Sequence, residues 1–230
     1  MRDLHDNAAM AAMASQRARL YELLVMAFGR VPDSDIIRWL RGEEFRGIIQ
    51  SLRKAGSKEL STGATLMDAY ISQIDNRDEG RVIEELSVDR TLLVRAPGDN
   101  EFKAPYEGLY KKNKTEGGAP LAVKTFYRRA GMLPDDTIHE SPDYLCLELD
   151  FMRNLCLREA DEWTAGGIPA DTMRLEYEFL LEHLGAWIEE YCNQAVVRAR
   201  TDFYRGCLDL MKATVAGDRE ILRELVETVK

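Results

Sequence analysis

The side chains in this sequence that most often bind metals or catalyse reactions are three histidines and four cysteines. All three histidines (His5, His139 and His183) lack the glutamate three residues earlier that the Glu-x-x-His pairs of a di-iron helix bundle require. The cysteine spacings of 10, 36 and 15 residues include no Cys-x-x-Cys pair that would suggest a zinc site: Cys146, Cys156, Cys192 and Cys207. The sequence therefore predicts neither a metal site nor a bound cofactor.

Motifs for nucleotide or peptide-bond chemistry are also missing. The sequence has no Gly-x-x-x-x-Gly-Lys-Ser/Thr, no Gly-x-Gly-x-x-Gly and no His-Glu-x-x-His. A Cys–His couple stays open as an alternative, because partners distant in sequence can meet in a fold. Helical cysteines mostly act as small apolar side chains, however, so we expect no catalytic residues and a protein that is not an enzyme.

Composition and charge narrow the class of protein further. The chain has 230 residues, of which 45% are hydrophobic and 31% charged, and this is typical of a folded protein with a real core. Its formal net charge of -9 argues against nucleic-acid binding, which needs a basic face. No basic start precedes an apolar run, and charges interrupt the apolar stretches. We therefore expect no signal peptide, no membrane insertion, a cytoplasmic location and reduced cysteines.

Apolar residues recur at helical spacing along almost the whole chain, without an alternating strand pattern or an Asn-Gly turn. Capping and terminating residues are expected at these positions: Asp33 or Ser34, Gly131 and Asp218. Residues 171–217 are expected to form two long helices packed as a hairpin. The sequence thus predicts an all-α fold, with a single globular helical domain of about ten helices over residues 1–230.

One long irregular stretch interrupts the helices at about residues 95–120, where three prolines and four glycines occur. Long loops inside compact chains are often functional. Charge also changes sign nearby: residues 101–130 carry a net charge of +4, and residues 131–162 carry -7. The functional surface is therefore expected around this stretch.

Ser141-Pro142-Asp143 has the residue types of a helix start, with serine as the cap, proline at the first helical position and aspartate at the positive end of the dipole. The helix that follows is expected to turn one apolar face to the core and to point Glu148, Asp150 and Arg153 elsewhere. That face consists of Leu145, Leu149, Met152 and Cys156.

Three stretches, in matching order and spacing, resemble the TorD/DmsD family of cytoplasmic chaperones for molybdenum-cofactor enzymes. The first, APYEGLY at 104–110, is similar to the family's Pro-Tyr-Glu-Ser-Val-Tyr loop. The second, HESPDYLCLELDFMRNL at 139–155, resembles Glu-x-Pro-Asp-His followed by a Leu-Glu-Leu-x-Phe-Met helix. The third, at 179–211, resembles the family's His-Leu-x-x-Trp and Phe-Tyr helices. The similarity covers roughly residues 80–225.

The resemblance implies a helical, TorD-like chaperone of anaerobic respiration. Such a protein binds the apo catalytic subunit of a molybdenum-cofactor oxidoreductase of the DMSO reductase family, often at its twin-arginine signal peptide. It assists cofactor insertion and delays export. By match of motif, the implied client-binding residues are Tyr106, Glu107, Tyr110, Glu140, Pro142, Asp143 and Tyr144.

Two positions depart from the family pattern. Tyr144 stands where the family has histidine, so the site keeps a hydrogen-bonding tip there but loses a titratable imidazole. Gly108 stands where serine is common.

Elementary chemistry fits a twin-arginine peptide as ligand. Two guanidinium groups followed by an apolar segment need carboxylates beside an apolar groove. The acidic stretch 131–162 supplies carboxylates at Asp135, Asp136, Glu140 and Asp143. Amphipathic side chains for the wall of the groove come from Tyr106, Tyr110 and Tyr144. Exposed arginine–carboxylate pairs contribute only about 0.2–1 kcal/mol each, so apolar burial must dominate a binding free energy on the order of -8 kcal/mol.

Simpler interpretations stay open beside this one. Ser141-Pro142-Asp143 is also explained as a helix cap alone, and Tyr106 and Tyr110 as anchors of a loop to the core. Core packing is the simpler explanation for the following apolar residues: Leu149, Phe151, Met152, Trp187, Phe203 and Tyr204.

Two alternative functions stay open, a nucleotide-binding switch and an adaptor for an unrelated protein. The expected assembly is a monomer or a helix-exchanged dimer.

Overall fold

The computed structural model describes residues 6–54, 57–95, 102–111, 118–135 and 137–229. Within these ranges the chain forms eleven helices and no strand, which confirms the all-α prediction. The helices are α1 (Asn7–Gly29), α2 (Ser34–Arg41), α3 (Glu43–Lys54), α4 (Lys58–Ile74), α5 (Glu79–Arg95), α6 (Glu107–Tyr110), α7 (Gly118–Ala130), α8 (Leu145–Thr164), α9 (Ala170–Glu182), α10 (Leu184–Val196) and α11 (Asp202–Thr228).

Local sequence explains several helix boundaries. Asp33 is the N-cap of α2, and its side chain accepts a hydrogen bond from the Ile36 amide at 2.9 Å, which lowers the pKa of Asp33. Gly131 follows α7 with a φ of 70°, the left-handed conformation that ends many helices. The predicted cap and the predicted stop at these two positions are confirmed.

Two predicted boundaries are wrong. Asp218 does not cap a last helix, because α11 runs through it and its side chain is buried in an ion pair with Arg17 at 3.1 Å. The predicted hairpin over 171–217 contains parts of three helices, because α9 ends at Glu182 and the non-helical C-cap His183 separates it from α10.

The chain divides into two compact units. Unit 1 consists of Met1–Val25, Tyr106–Ile188 and Thr214–Lys230, and unit 2 consists of Met26–Pro105 and Glu189–Ala213. The single domain expected over 1–230 stays a prediction.

The core of unit 1 includes an aromatic cluster that supports the predicted site. Phe151 of α8 lies edge-on to Phe179 of α9, with ring centroids 4.6 Å apart, and 4.7 Å from the Tyr127 ring of α7. Phe126 packs against His183 at 4.8 Å. Aromatic pairs at such distances add roughly 0.5–1.5 kcal/mol beyond their buried area. The cluster therefore holds α7, α8 and the end of α9 together.

In unit 2, Asp89 of α5 orders the start of α11. Its carboxylate, fully buried, accepts hydrogen bonds from the Arg200 amide (3.0 Å), the Thr201 amide (2.8 Å) and the Thr201 hydroxyl (2.7 Å). The Thr201 hydroxyl in turn accepts from the Tyr204 amide at 3.3 Å. A side chain distant in sequence thus satisfies amides that a helix start leaves without internal partners.

Replacing Asp89 by alanine is expected to destabilise the protein by roughly 2–4 kcal/mol, because the buried amide and hydroxyl of Thr201 and the partly buried Arg200 amide lose their acceptor. Urea unfolding followed by circular dichroism measures this. Asp202→Ala is the matched control, since Asp202 pairs with Arg205 at the surface with a 34% exposed side chain. Equal midpoints for the two variants would contradict the prediction.

Candidate functional site

The structure brings together the two segments that the sequence analysis predicted to form one site. Tyr106 and Tyr144 form an isolated antiparallel bridge. The Glu107 amide donates to the Asp143 carbonyl, and the Gly108 amide donates to the Asp143 carboxylate, both at 3.0 Å. The loop at 104–110 and the turn at 139–144 are thus one connected surface element, which we call the paired-motif site.

Asp143 has a structural task within this site. Its side chain is 3% exposed and also accepts a hydrogen bond from the Ser141 hydroxyl. It holds the first turn of α6 by accepting from Gly108, so little of the carboxylate is presented to a ligand.

The predicted helix start at Ser141-Pro142-Asp143 is wrong. Helix α8 begins at Leu145, and its N-cap is Tyr144, without a side-chain capping bond. The Tyr144 amide donates to the Ser141 carbonyl at 3.0 Å, so these residues form a turn ahead of the helix. The Ser141 hydroxyl donates to the Asp143 carboxylate, which also accepts from the Gly108 amide, so both side chains are engaged away from the start of α8.

Three of the predicted client-binding residues are half-buried: Tyr106, Glu140 and Pro142. The Tyr106 hydroxyl donates to the Glu140 carboxylate at 2.7 Å, and the Tyr106 ring lies 5.2 Å from that of Tyr144. The Pro142 carbonyl accepts from the Tyr127 hydroxyl at 2.9 Å, which fixes the turn to α7. Glu140 therefore offers a carboxylate in a defined position with part of its surface open to solvent.

Glu107 lies beneath this surface and is fully buried. Its carboxylate is 2.8 Å from Lys111 Nζ and 2.9 Å from His183 Nδ1. Burial raises the pKa of Glu107, but hydrogen bonds from His183 and then Lys111 outweigh burial, so the pKa lies below its ordinary value. Lys111 Nζ also donates to the Glu182 carbonyl. Glu107 thus connects α6 to the α9–α10 junction as an ionised group.

Tyr110 and Glu148 complete the underside of the site. The Tyr110 ring, 9% exposed, stacks on Trp187 with centroids 5.3 Å apart. Trp187 Nε1 donates to the Glu148 carboxyl at 3.1 Å. The prediction that Glu148 points away from the core is wrong, because this side chain is fully buried. Local periodicity gave no signal for it, since its partner lies 39 residues further along the chain.

The loop ahead of the turn carries the remaining predicted acidic residues. Asp135 is exposed and accepts hydrogen bonds from the Thr137 amide (2.8 Å) and hydroxyl (2.6 Å), which lower its pKa. Asp136 lies outside the described residues, as do 96–101 and 112–117 of the irregular stretch. The same loop exposes Leu133 (53%) and Ile138 (44%).

Metal and thiol chemistry finds no support in the described part of the chain. No group of three His, Cys, Asp or Glu side chains there could hold a metal ion, and His5 lies outside it. All four cysteines are buried free thiols. Burial raises the pKa of three of them, which makes these thiols poor nucleophiles: Cys156, Cys192 and Cys207. Among the described helices, none has the length and apolar character needed to span a membrane.

A family profile described as nitrate reductase delta subunit matches residues 54–193, more than half of the chain and both segments of the paired-motif site. The chain belongs to this family. This match confirms the resemblance to the TorD family of molybdoenzyme chaperones. The relatives of this chain are named as chaperones, which places it with chaperones and not with enzymes.

Several relatives of this chain carry informative names. The perchlorate reductase assembly chaperone protein of Dechloromonas aromatica is 31% identical over 123 residues, 53% of this chain and 55% of that protein. The match thus spans about half the length of that relative. Chaperone protein TorD of Vibrio cholerae is 21% identical over 92% of this chain and 94% of its own. The chlorate reductase assembly chaperone protein of Ideonella dechloratans is 26% identical over 63% and 68%, respectively.

Proposed function

We propose that this protein is a cytoplasmic chaperone that binds the apo catalytic subunit of a molybdenum-cofactor oxidoreductase of the DMSO reductase family at its twin-arginine signal peptide. It assists cofactor insertion and delays export of the subunit. The observation that carries the proposal is the joining of the two family motifs into one surface element, with the Glu140 carboxylate fixed by Tyr106 at its edge.

The chemistry of this surface suits such a peptide. Glu140 is a held carboxylate that accepts from a guanidinium without first losing rotamer freedom. The first segment and the loop ahead of the second also expose apolar side chains that suit the apolar part of a signal peptide: Leu109 (49%), Leu133 (53%) and Ile138 (44%). Because an exposed ion pair contributes only about 0.2–1 kcal/mol, these apolar contacts supply most of a micromolar affinity.

Burial divides the seven predicted client-binding residues into two groups. Tyr106, Glu140 and Pro142 are half-buried, and we assign direct client contact to them. The other four are buried, and we assign them the role of holding the surface in shape: Glu107, Tyr110, Asp143 and Tyr144.

Reversing the charge of Glu140 tests this assignment. Glu140→Lys is expected to weaken binding of a labelled synthetic peptide, with two adjacent arginines ahead of a leucine–alanine segment, by about tenfold, since one attraction is replaced by a repulsion. Fluorescence anisotropy measures the affinity, and urea unfolding checks that the fold is unchanged. Asp171→Lys, at a 96% exposed side chain of α9, is the control. Equal affinities for both variants would remove Glu140 from the binding surface.

The identity of the client is tested in the native cells. The tagged protein is purified from cells grown anaerobically, and the proteins that copurify are identified by mass spectrometry. Enrichment of a molybdopterin-dependent catalytic subunit, reduced by Glu140→Lys, supports the proposal. Consistent enrichment of an unrelated protein would favour the adaptor function instead, and nucleotide hydrolysis by the purified protein would favour the switch.

A further inference from the structure

Two buried carboxyl groups beneath the paired-motif site have unlike surroundings. Glu107 is bonded by Lys111 and His183, as described above. Glu148 is bonded by a single donor, the Trp187 indole N–H, and its Oε1 atom has no hydrogen-bond partner among the described residues. No ion pair in the described part of the chain includes Glu148.

These surroundings favour a proton on Glu148. A fully buried carboxylate with one hydrogen bond and no cation is costly, and a neighbouring negative charge adds to the cost. Burial first, and then the Glu107 carboxylate, raise the pKa of Glu148 well above its ordinary value, whereas the pKa of Glu107 is lowered. Surroundings that raise the pKa of one carboxyl group and lower that of its neighbour give the two groups opposite protonation states.

Titratable groups from four neighbouring segments surround the pair. The α6 segment contributes Lys111, the α9–α10 junction contributes His183, and both bond to Glu107. The turn before α8 contributes the Asp143 carboxyl, and α7 contributes the Tyr127 hydroxyl, whose pKa is raised by burial and then by the charge of Glu148. An ionised Glu148 would thus add a negative charge to a cluster in which the described cations already bond to Glu107.

We propose that the proton on Glu148 keeps α6 seated against α8 and the α9–α10 junction, so that its loss at alkaline pH loosens residues 106–110 and weakens client binding. The connection is direct: Glu148 accepts from Trp187, Trp187 stacks on Tyr110, and Tyr110 ends α6. Glu148 is therefore a positioning residue that does not touch the client. The part of the inference that concerns binding rests on the proposed function above.

The protonation state is tested without any client. Infrared difference spectra of wild type minus Glu148→Gln at neutral pH are expected to show the C=O band of a protonated carboxylic acid. Asp150→Asn, two residues along α8 at a 39% exposed side chain paired with Arg153, is the control and is expected to show carboxylate bands. Carboxylate bands for Glu148→Gln as well would overturn the inference.

The position of α6 is followed by NMR through the signal of the Trp187 indole N–H. The loss of this signal in Trp187→Phe assigns it. In wild type this signal is expected to shift as the pH is raised from neutral into the alkaline range and Glu148 ionises, and in Glu148→Gln it is expected to stay fixed. A wild-type signal that does not move over this range overturns the inference, even where Glu148→Gln fails to fold.

The binding consequence is measured with the twin-arginine peptide described above. Wild type is expected to bind it roughly fivefold or more weakly at the alkaline end of the range, while Glu148→Gln loses this pH dependence. The same pH dependence in both proteins would overturn the coupling to binding. Failure of the peptide to bind at any pH would reject the proposed function, and the infrared and indole signals would still decide the state of Glu148.

Discussion

Replacing Arg17 by methionine is expected to destabilise the protein by roughly 3–5 kcal/mol, because one buried cation serves three buried carboxyl groups. Arg17 of α1 is 3% exposed and forms ion pairs with Glu159 of α8, Glu176 of α9 and, at 3.1 Å, Asp218 of α11. Four helices of unit 1 thus meet at one guanidinium. Glu159 also accepts from the Trp163 indole at 3.1 Å, which connects the cluster to the largest buried side chains.

The size of this effect follows from what the substitution leaves behind. Without Arg17, three carboxyl groups stay buried with no cation, and each must be protonated or drawn toward water. Urea unfolding at neutral pH measures the loss. Arg174→Met is the matched control in the same unit, since Arg174 pairs with Asp171 at the surface with a 48% exposed side chain. If Arg17→Met lowers the free energy of unfolding no more than Arg174→Met does, the cluster contributes little to stability.

Features with a local cause were predictable from the sequence. The cap at Asp33 and the stop at Gly131 depend on residues within one helical turn, and both are confirmed. Apolar periodicity placed Leu149 and Met152 in the core, where both are fully buried. The juxtaposition of 104–110 and 139–144 came from the family motifs, since no local rule brings together segments about 35 residues apart.

Buried charges escaped prediction because their cause is not local. Glu148, Glu159 and Asp218 stand at helix positions that composition alone assigns to solvent or to a cap. Each is buried because a partner arrives from another helix: Trp187 for the first, and Arg17 for the other two. The separation of Arg17 and Glu159 along the chain is 142 residues, which no periodicity within a helix encodes.

At Ser141-Pro142-Asp143 a local signal for a helix start was present, but no helix starts there. Its residue types satisfy every local requirement of a helix start. In the structure these residues instead form a loop turn ahead of α8, because the Asp143 carboxylate accepts a hydrogen bond from the Gly108 amide. A tertiary hydrogen bond competed with the local cap and determined where the helix begins.

Glu176 is expected to make the protein less stable as the pH rises from about 4.5 to about 8. Its folded-state pKa is raised from 4.5 to about 8, chiefly by burial, while Arg17 opposes the shift. Over this interval the unfolded chain releases the Glu176 proton and the folded chain keeps it, so rising pH favours unfolding. The contribution is fully present below the unfolded pKa and lost as the pH passes the folded pKa, a total of roughly 5 kcal/mol.

Glu176→Gln isolates this contribution, because glutamine resembles the protonated side chain at every pH. The free energy of unfolding in urea, measured from acidic to alkaline pH, is expected to fall less steeply for this variant than for wild type. Glu178→Gln, on the same helix at a 33% exposed side chain paired with Arg129, is the control and is expected to keep the wild-type slope. Parallel curves for Glu176→Gln and wild type would mean that Glu176 stays ionised in the fold. Arg17 would then balance it as a full ion pair, and the expected cost of Arg17→Met would rise toward the upper end of its range.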